Sequence, residues 1–251
     1  MKENYTHIVV VLDSSGSMAT IFDDTVAGFN HFLKSQKEAP GEATMTFIEF
    51  AKGKLVDGFG RLVGPVFGSI QNSKPFDKFY NPIRLDVDMK LDFIPVENVR
   101  ELDKTTYVPN GGTPLLDTIG ETIVPTGKSL AALPESLRPS KVLFVIITDG
   151  EENASRYYDL KTIKEMTTHQ TDVYKWEFVY LGANQDAIAV GTSFGIRAGS
   201  IISYGVSAQE IGSTYGVLSS KTTAFRSAKT ADEISASLNF TEEERKSAKN
   251  N

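Results

Sequence analysis

The chain has 251 residues, 40% hydrophobic and 23% charged, with 26 Lys and Arg against 32 Asp and Glu for a formal net charge of −6. These proportions are those of a globular protein with a sizeable core, and the acidic balance argues against binding nucleic acid by general electrostatics. The lack of cysteine excludes disulfides, thiolate metal sites and cysteine nucleophiles.

Residues 1–7 lack the basic region and long apolar run of a secretory signal, and no later apolar segment approaches membrane-spanning length. The expectation is a cytoplasmic protein with no membrane partner, in which the sequons at Asn153 and Asn239 carry no glycan. No interior linker is evident. Residues 1–240 therefore read as one domain, and 241–251 as a charged, flexible tail.

Residues 8–12, Ile-Val-Val-Val-Leu, are a continuous apolar run suited to a central parallel strand buried on both faces. The run ends in Asp13-Ser14-Ser15-Gly16-Ser17. A buried strand that delivers an acid and hydroxyls at its carboxyl end assembles oxygen ligands for a hard cation. By itself the same stretch also reads as a helix N-cap and turn. Met18, Phe22, Val26, Phe29 and Leu33 then recur at helical spacing, stopping before Pro40-Gly41. Met45 to Phe50 reads as a half-buried strand, with Thr44, Thr46 and Glu49 polar and Phe47, Ile48 and Phe50 apolar.

Residues 56–84 read as an inserted loop, glycine-rich at first and then turn-rich with Phe76, Phe79 and Tyr80. Loops of that length in compact domains are functional or disordered; the three aromatics suit a partner surface and loop packing equally. Leu85, Val87, Met89, Leu91 and Phe93 alternate as in an antiparallel edge strand.

Tyr107 to Thr113 is a turn, and Pro114 suits the first position of a helix running through Leu115, Leu116, Ile119 and Ile123. Thr113 falls at the N-cap of that helix or just before it. Lys141 to Thr148 is a second strongly buried strand and also ends in an acid, Asp149, before Gly150. Glu151 and Glu152 read as first-turn acids of the next helix, favoured by its dipole, with a role in orienting waters at the site as the alternative. A helix near Leu160 to Met166, a strand at Trp176 to Leu181, a helix around Ala187 to Phe194, a strand at Ile201 to Tyr204 and a helix from Ala208 to Phe225 complete the pattern. Trp176 and the aromatics around it are read as core.

Strands alternating with helices imply an α/β fold: a doubly wound, Rossmann-like, mostly parallel sheet with one antiparallel edge strand and helices on both faces. In such sheets the ligand crevice lies at the carboxyl ends of the strands, where the winding reverses. If the Met45 strand winds outward on one side and the Lys141 strand returns on the other, Asp13 and Asp149 end adjacent strands.

Asp13-x-Ser15-x-Ser17, Thr113 in Gly-Gly-Thr-Pro-Leu-Leu-Asp, and Asp149 in Ile-Thr-Asp-Gly resemble the metal-ion-dependent adhesion site of the von Willebrand factor A, or integrin I, domain. The resemblance covers residues 5 to 225, and 56–84 departs from it, being longer than the expected hairpin. Within the family the chain is similar to single-domain bacterial and phage members, through Gly-Gly-Thr-Pro-Leu-Leu-Asp, Thr-Asp-Gly-Glu-Glu-Asn-Ala-Ser and Trp-Glu-Phe-Val-Tyr-Leu-Gly-Ala-Asn-Gln-Asp.

The resemblance implies Mg²⁺, with Mn²⁺ and Ca²⁺ as alternatives, held directly by Ser15 and Ser17. Thr113 would ligate directly or through water, and Asp13 and Asp149 mainly through waters. Mg²⁺ takes near-octahedral oxygen coordination and keeps its waters. Neutral hydroxyl ligands would leave its charge uncompensated and ready for a carboxylate from a protein partner. The expected function is a metal-dependent protein-binding module; the alternative is a structural or assembly protein, for example phage-related, whose metal only rigidifies the loops. Catalysis is not expected. The serines lack a Gly-x-Ser-x-Gly elbow and a histidine base, His7, His31 and His169 show no ligand spacing, and no Walker motif is present. A metal-dependent hydrolase would usually have more carboxylate or histidine ligands.

Overall fold

The computed structural model describes residues 1–51, 54–57, 93–183 and 186–249, with backbone alone for 54–57. The aromatics Phe76, Phe79 and Tyr80 lie outside these residues, as do nearly all of the inserted loop and the edge strand read up to Phe93. The strands are β1 (Lys2–Asp13), β2 (Glu42–Ala51), β3 (Lys54–Asp57), β4 (Ile94–Pro95), β5 (Pro139–Thr148), β6 (Glu177–Ala183) and β7 (Ile201–Tyr204). The helices are α1 (Phe22–Glu38), α2 (Leu115–Ala132), α3 (Leu160–Tyr174), α4 (Ala187–Ser193), α5 (Ala208–Ser227), α6 (Ala231–Ser237) and α7 (Glu242–Ala248).

The sheet order is β3-β2-β1-β5-β6-β7, with β4 also on β2. Strands β2, β1, β5, β6 and β7 run parallel, and the antiparallel edge is split between β3 and β4, both paired with β2. Because β2 and β5 flank β1, the winding reverses there, and the carboxyl ends of β1 and β5 lie side by side. This is the doubly wound architecture expected from the alternation of strands and helices.

Alternation within β1 feeds two cores. Ile8, Val10 and Leu12 pack with Phe29 and Phe32 of α1 and Leu218 and Phe225 of α5. Val9 and Val11 pack on the other face with Leu115, Ile119 and Ile123 of α2 and Ile163 of α3. Trp176 joins this second core beside Phe178. Covering on both faces is why β1 and β5 carry the continuous apolar stretches 8–12 and 142–147.

The same double covering overturns the half-buried reading of β2. Thr44, Thr46 and Glu49 are buried along with its apolar residues. Thr44 Oγ1 lies 2.9 Å from both Tyr5 Oη and His7 Nδ1, so the polar side chains satisfy one another inside the protein.

Residues 241–249, part of the stretch 241–251 expected to be a flexible tail, continue the fold as α7. Thr241 and Glu244 form a capping box at its start, and Ala248 is buried. The α7 helix covers the outer edge of β7: Arg245 donates to the Ile201 carbonyl at 2.6 Å and Gly205 N–H to the Ala248 carbonyl at 2.9 Å. That covering protects an edge whose unpaired backbone could otherwise recruit another strand. Among the described residues, no helix is long and apolar enough to cross a membrane.

Candidate metal centre

Asp13 is the last residue of β1 and Asp149 follows directly on β5, so neighbouring parallel strands bring the two acids to one place. Ser15 and Ser17 lie on the tight turn entering α1, and Thr113 sits one residue before Pro114, the N-cap of α2. These five side chains converge. Ser15 N–H donates to Asp13 Oδ1 at 2.7 Å, Ser15 Oγ is 3.1 Å from Ser17 Oγ, and Ser17 Oγ donates to Asp149 Oδ1 at 2.8 Å. A Cβ built on Gly150 would stand 3.2 Å from Thr113 Oγ1, 3.7 Å from Ser17 Oγ and 3.9 Å from Asp13 Oδ2. Gly150 thus looks onto the oxygen cluster, and any side chain there would fill it. Asp13, Ser15 and Thr113 are buried, Asp149 is half-buried and Ser17 is exposed, so the cluster opens on the Ser17 side.

The three loops are fastened to one another. Asn110 N–H donates to the Ser14 carbonyl at 2.8 Å, and Gly16 N–H to the Gly111 carbonyl at 3.0 Å. Gly111 has φ +73°, a conformation that glycine adopts without strain. Thr148 Oγ1 donates to Asp13 Oδ2 at 2.5 Å, and the buried Tyr107 hydroxyl donates to the Asp13 carbonyl at 2.6 Å. Both oxygens of the Asp13 carboxylate are therefore engaged by protein donors. Burial nevertheless pushes that carboxyl up to about 6, with the Asp149 charge adding to the rise. Asp149 is also raised by burial, against the opposing hydrogen bond from Ser17. Both shifts come chiefly from removal of the carboxyls from water, which disfavours their charged form.

Glu151 and Glu152 are not first-turn acids of the next helix, because α3 begins only at Leu160. Glu152 instead reaches across to α2. Its carboxylate accepts from Leu116 N–H at 2.9 Å, Ala154 N–H at 2.9 Å and Ser155 N–H at 2.7 Å. The acid does serve a helix N-terminus, but that of a helix earlier in the chain. Buried Asp117 returns the contact, accepting from the N–H groups of Arg156, Tyr157 and Tyr158 at 2.7, 2.9 and 2.8 Å. Reading the sequence singled out none of Tyr107, Asp117, Thr148 and Asn153 as site residues. The available signal was an acid, Asp117, in the first turn of the helix after Thr113.

The donor set is oxygen only: two carboxylates and three hydroxyls. Among the described residues, no group of three or more histidine and acidic side chains could hold a metal ion, so any centre here depends on the hydroxyls. Such a set suits a small hard cation that retains waters, and it does not suit metals that prefer imidazole or thiolate.

No protein-family model and no curated protein matches the chain. Solved structures do. Proximal thread matrix protein 1 from the mussel byssus superposes with a TM-score of 0.55 at 11% identity, covering 87% of this chain and 48% of its own. Another structure of that mussel protein, with a zinc-occupied MIDAS motif, gives 0.54 at the same identity and the same coverage. A von Willebrand factor type A protein from Catenulispora acidiphila gives 0.51 at 12% identity, covering 89% of this chain and 43% of its own. The pilus adhesin SpaC from Lactobacillus rhamnosus GG gives 0.52 at 13%, covering 89% and 31%. At these identities the likeness establishes the fold, that of von Willebrand factor A-type domains. The chain spans less than half the length of each of these proteins.

Proposed function

We propose that Asp13, Ser15, Ser17, Thr113 and Asp149 hold a divalent cation, Mg²⁺ with Mn²⁺ and Ca²⁺ as alternatives. In this reading the chain is a metal-dependent protein-binding module whose partner contributes a carboxylate. The observation that carries the proposal is the convergence of five oxygen side chains from three separate loops onto the space facing Gly150. The zinc-occupied motif in a protein of the same fold supports the metal part of the reading.

When bound, the cation would supply a positively charged point with open coordination positions for an outside anion. The chain's own residues prepare that point. Ser15, Ser17 and Thr113 offer neutral oxygens that leave most of the cation's charge uncompensated. Asp13, already accepting from Ser15 N–H and Thr148, acts by orienting hydroxyls and waters, as carboxylates around metal ligands do. The exposure of Ser17 beside half-buried Asp149 gives a partner's side chain its approach. The donor set contains no histidine base, which favours binding over hydrolysis.

The test is capture of binding proteins on the immobilised chain with free Mg²⁺ at about a hundred times its Kd, against excess EDTA and against Asp13→Ala. Partner capture lost in both controls supports the proposal. Capture that survives chelation overturns it, and if chelation then lowers only thermal stability, the metal is a rigidifying element of an assembly protein.

A further inference from the structure

The oxygen cluster draws its two acids from the ends of β1 and β5, which the sheet holds side by side, and Ser15 and Ser17 from the turn that follows β1 directly. Thr113 is different. It belongs to an irregular segment between Tyr107 and α2, and nothing in the sheet fixes where its hydroxyl stands. The loop after β1 holds residues 110 and 111 of that segment, and the loop after β5 holds Thr113 itself. The Thr113 N–H donates to Asn153 Oδ1 at 2.9 Å, and the Asn153 N–H donates back to the Thr113 carbonyl at 3.2 Å. One residue therefore grips both polar groups of the Thr113 backbone, as a paired strand residue would.

Asn153 is in turn held in place along the length of its loop. Glu152 on one side accepts from Leu116 N–H, and Ser155 Oγ accepts from Asp117 N–H at 3.0 Å while donating to Glu152 Oε2 at 2.7 Å. Asp117 closes the far end by taking three consecutive N–H groups, Arg156 to Tyr158. The loop carrying Asp149 at its start is thus sewn to the segment carrying Thr113, and Asn153 is the stitch nearest the oxygens.

We propose that Asn153 is a positioning residue that sets the Thr113 hydroxyl opposite Asp149 and so completes the cation site. The inference rests on the metal reading above and deepens it. Asn153 is itself exposed, so its side chain adds little to the core, and its loss leaves the fold standing while loosening Thr113. Positioning groups around metal ligands are typically worth about ten- to a hundredfold in affinity, and a partly solvated hydrogen bond belongs at the lower end.

The experiment is Mg²⁺ titration by calorimetry into the metal-free full chain, for wild type, Asn153→Ala, Asn153→Asp, Thr113→Val and the Asn153→Ala/Thr113→Val double variant. Amide exchange at Thr113 is measured without metal in parallel. Asn153→Ala is expected to weaken Mg²⁺ binding about tenfold while the protein stays folded, its melting temperature lowered by only about 2–4 °C. Asn153→Asp, which keeps the acceptor, is expected to restore it. In the Thr113→Val background, Asn153→Ala should cost less than about twofold, since the two residues act through one hydroxyl. Thr113 amide exchange should quicken in Asn153→Ala and not in Asn153→Asp. Wild-type affinity in Asn153→Ala, or the same loss with and without Thr113, overturns the proposal. If the wild type takes up no Mg²⁺, the metal reading fails separately, and unchanged Thr113 exchange then overturns the positioning role as well.

Discussion

The Thr148 hydroxyl donates to Asp13 Oδ2 at 2.5 Å across the seam between β5 and β1, joining the last residue of one strand to the last residue of the other. The same oxygen also accepts from Gly150 N–H at 3.1 Å, so Thr148 ties the Asp13 carboxylate to the turn that carries Asp149. Replacing it by valine keeps the shape and removes the donor from a fully buried carboxylate. Thr148→Val is expected to lower stability by about 1–3 kcal/mol, whereas Thr148→Ser should retain most of it. Urea denaturation of the metal-free protein decides; equal midpoints for wild type and Thr148→Val would show that the bond contributes nothing.

Cation affinity should depend on pH through Asp13. Its folded carboxyl is raised to about 6 from an ordinary 3.8, chiefly by burial. Protons therefore compete with a cation below pH 6, and Mg²⁺ affinity should fall about tenfold per pH unit there while levelling off above 7. In the metal-free protein the raised value means that the stability from neutral Asp13 is fully present below 3.8 and lost as pH rises through 6. Stabilisation by Mg²⁺ should consequently be greatest near neutrality, and about 2.7 kcal/mol at a hundred times Kd. Thermal melts with and without Mg²⁺ at pH 5 and 7.5 check both statements, and Asp13→Ala should remove the difference.

Glu121 offers a second pH dependence, away from the oxygen cluster. Burial raises its carboxyl from 4.5 to about 7, with the Asp117 charge one turn away adding to the rise and the Tyr158 hydrogen bond opposing it. Its contribution is fully present below pH 4.5 and lost as pH rises through 7. Glu121→Gln should match wild type near pH 4.5 and exceed it by about 1–2 kcal/mol at pH 8. Denaturation midpoints at those two pH values are the measurement, and a constant difference between them would sink the assignment.

Removal of residues 241–251 tests whether α7 belongs to the fold. The deletion takes away the bonds from Arg245 to Ile201 and from Gly205 to Ala248, together with the 3.0 Å ion pair of Lys221 and Glu244. At about 1 kcal/mol for each hydrogen bond, a loss of 2 kcal/mol or more is expected. The uncovered β7 edge should also promote self-association. A truncated chain as stable and as monomeric as the full one would return these residues to the status of a tail.

Much of this molecule is written in local pattern. The apolar runs of β1 and β5 announced central strands because a strand covered on both faces buries side chains in both directions, and each run named its own acid, Asp13 and Asp149. Hydroxyls at Ser15, Ser17 and Thr113 were visible as residue types at telling positions. Local pattern misled at β2, where Thr44, Thr46 and Glu49 are polar yet buried, because their partners come from other parts of the chain. It misled again at α7, a short charged helix whose packing surface is supplied by β7 and α5. Only the tertiary structure decided what holds the site in shape. The donors from Tyr107 to the Asp13 carbonyl, from Thr148 to the Asp13 carboxylate and from Thr113 to Asn153 link residues 94, 135 and 40 positions apart. Residues at such separations meet only when the strands are ordered, so the composition of the site belongs to the sequence and its geometry to the sheet.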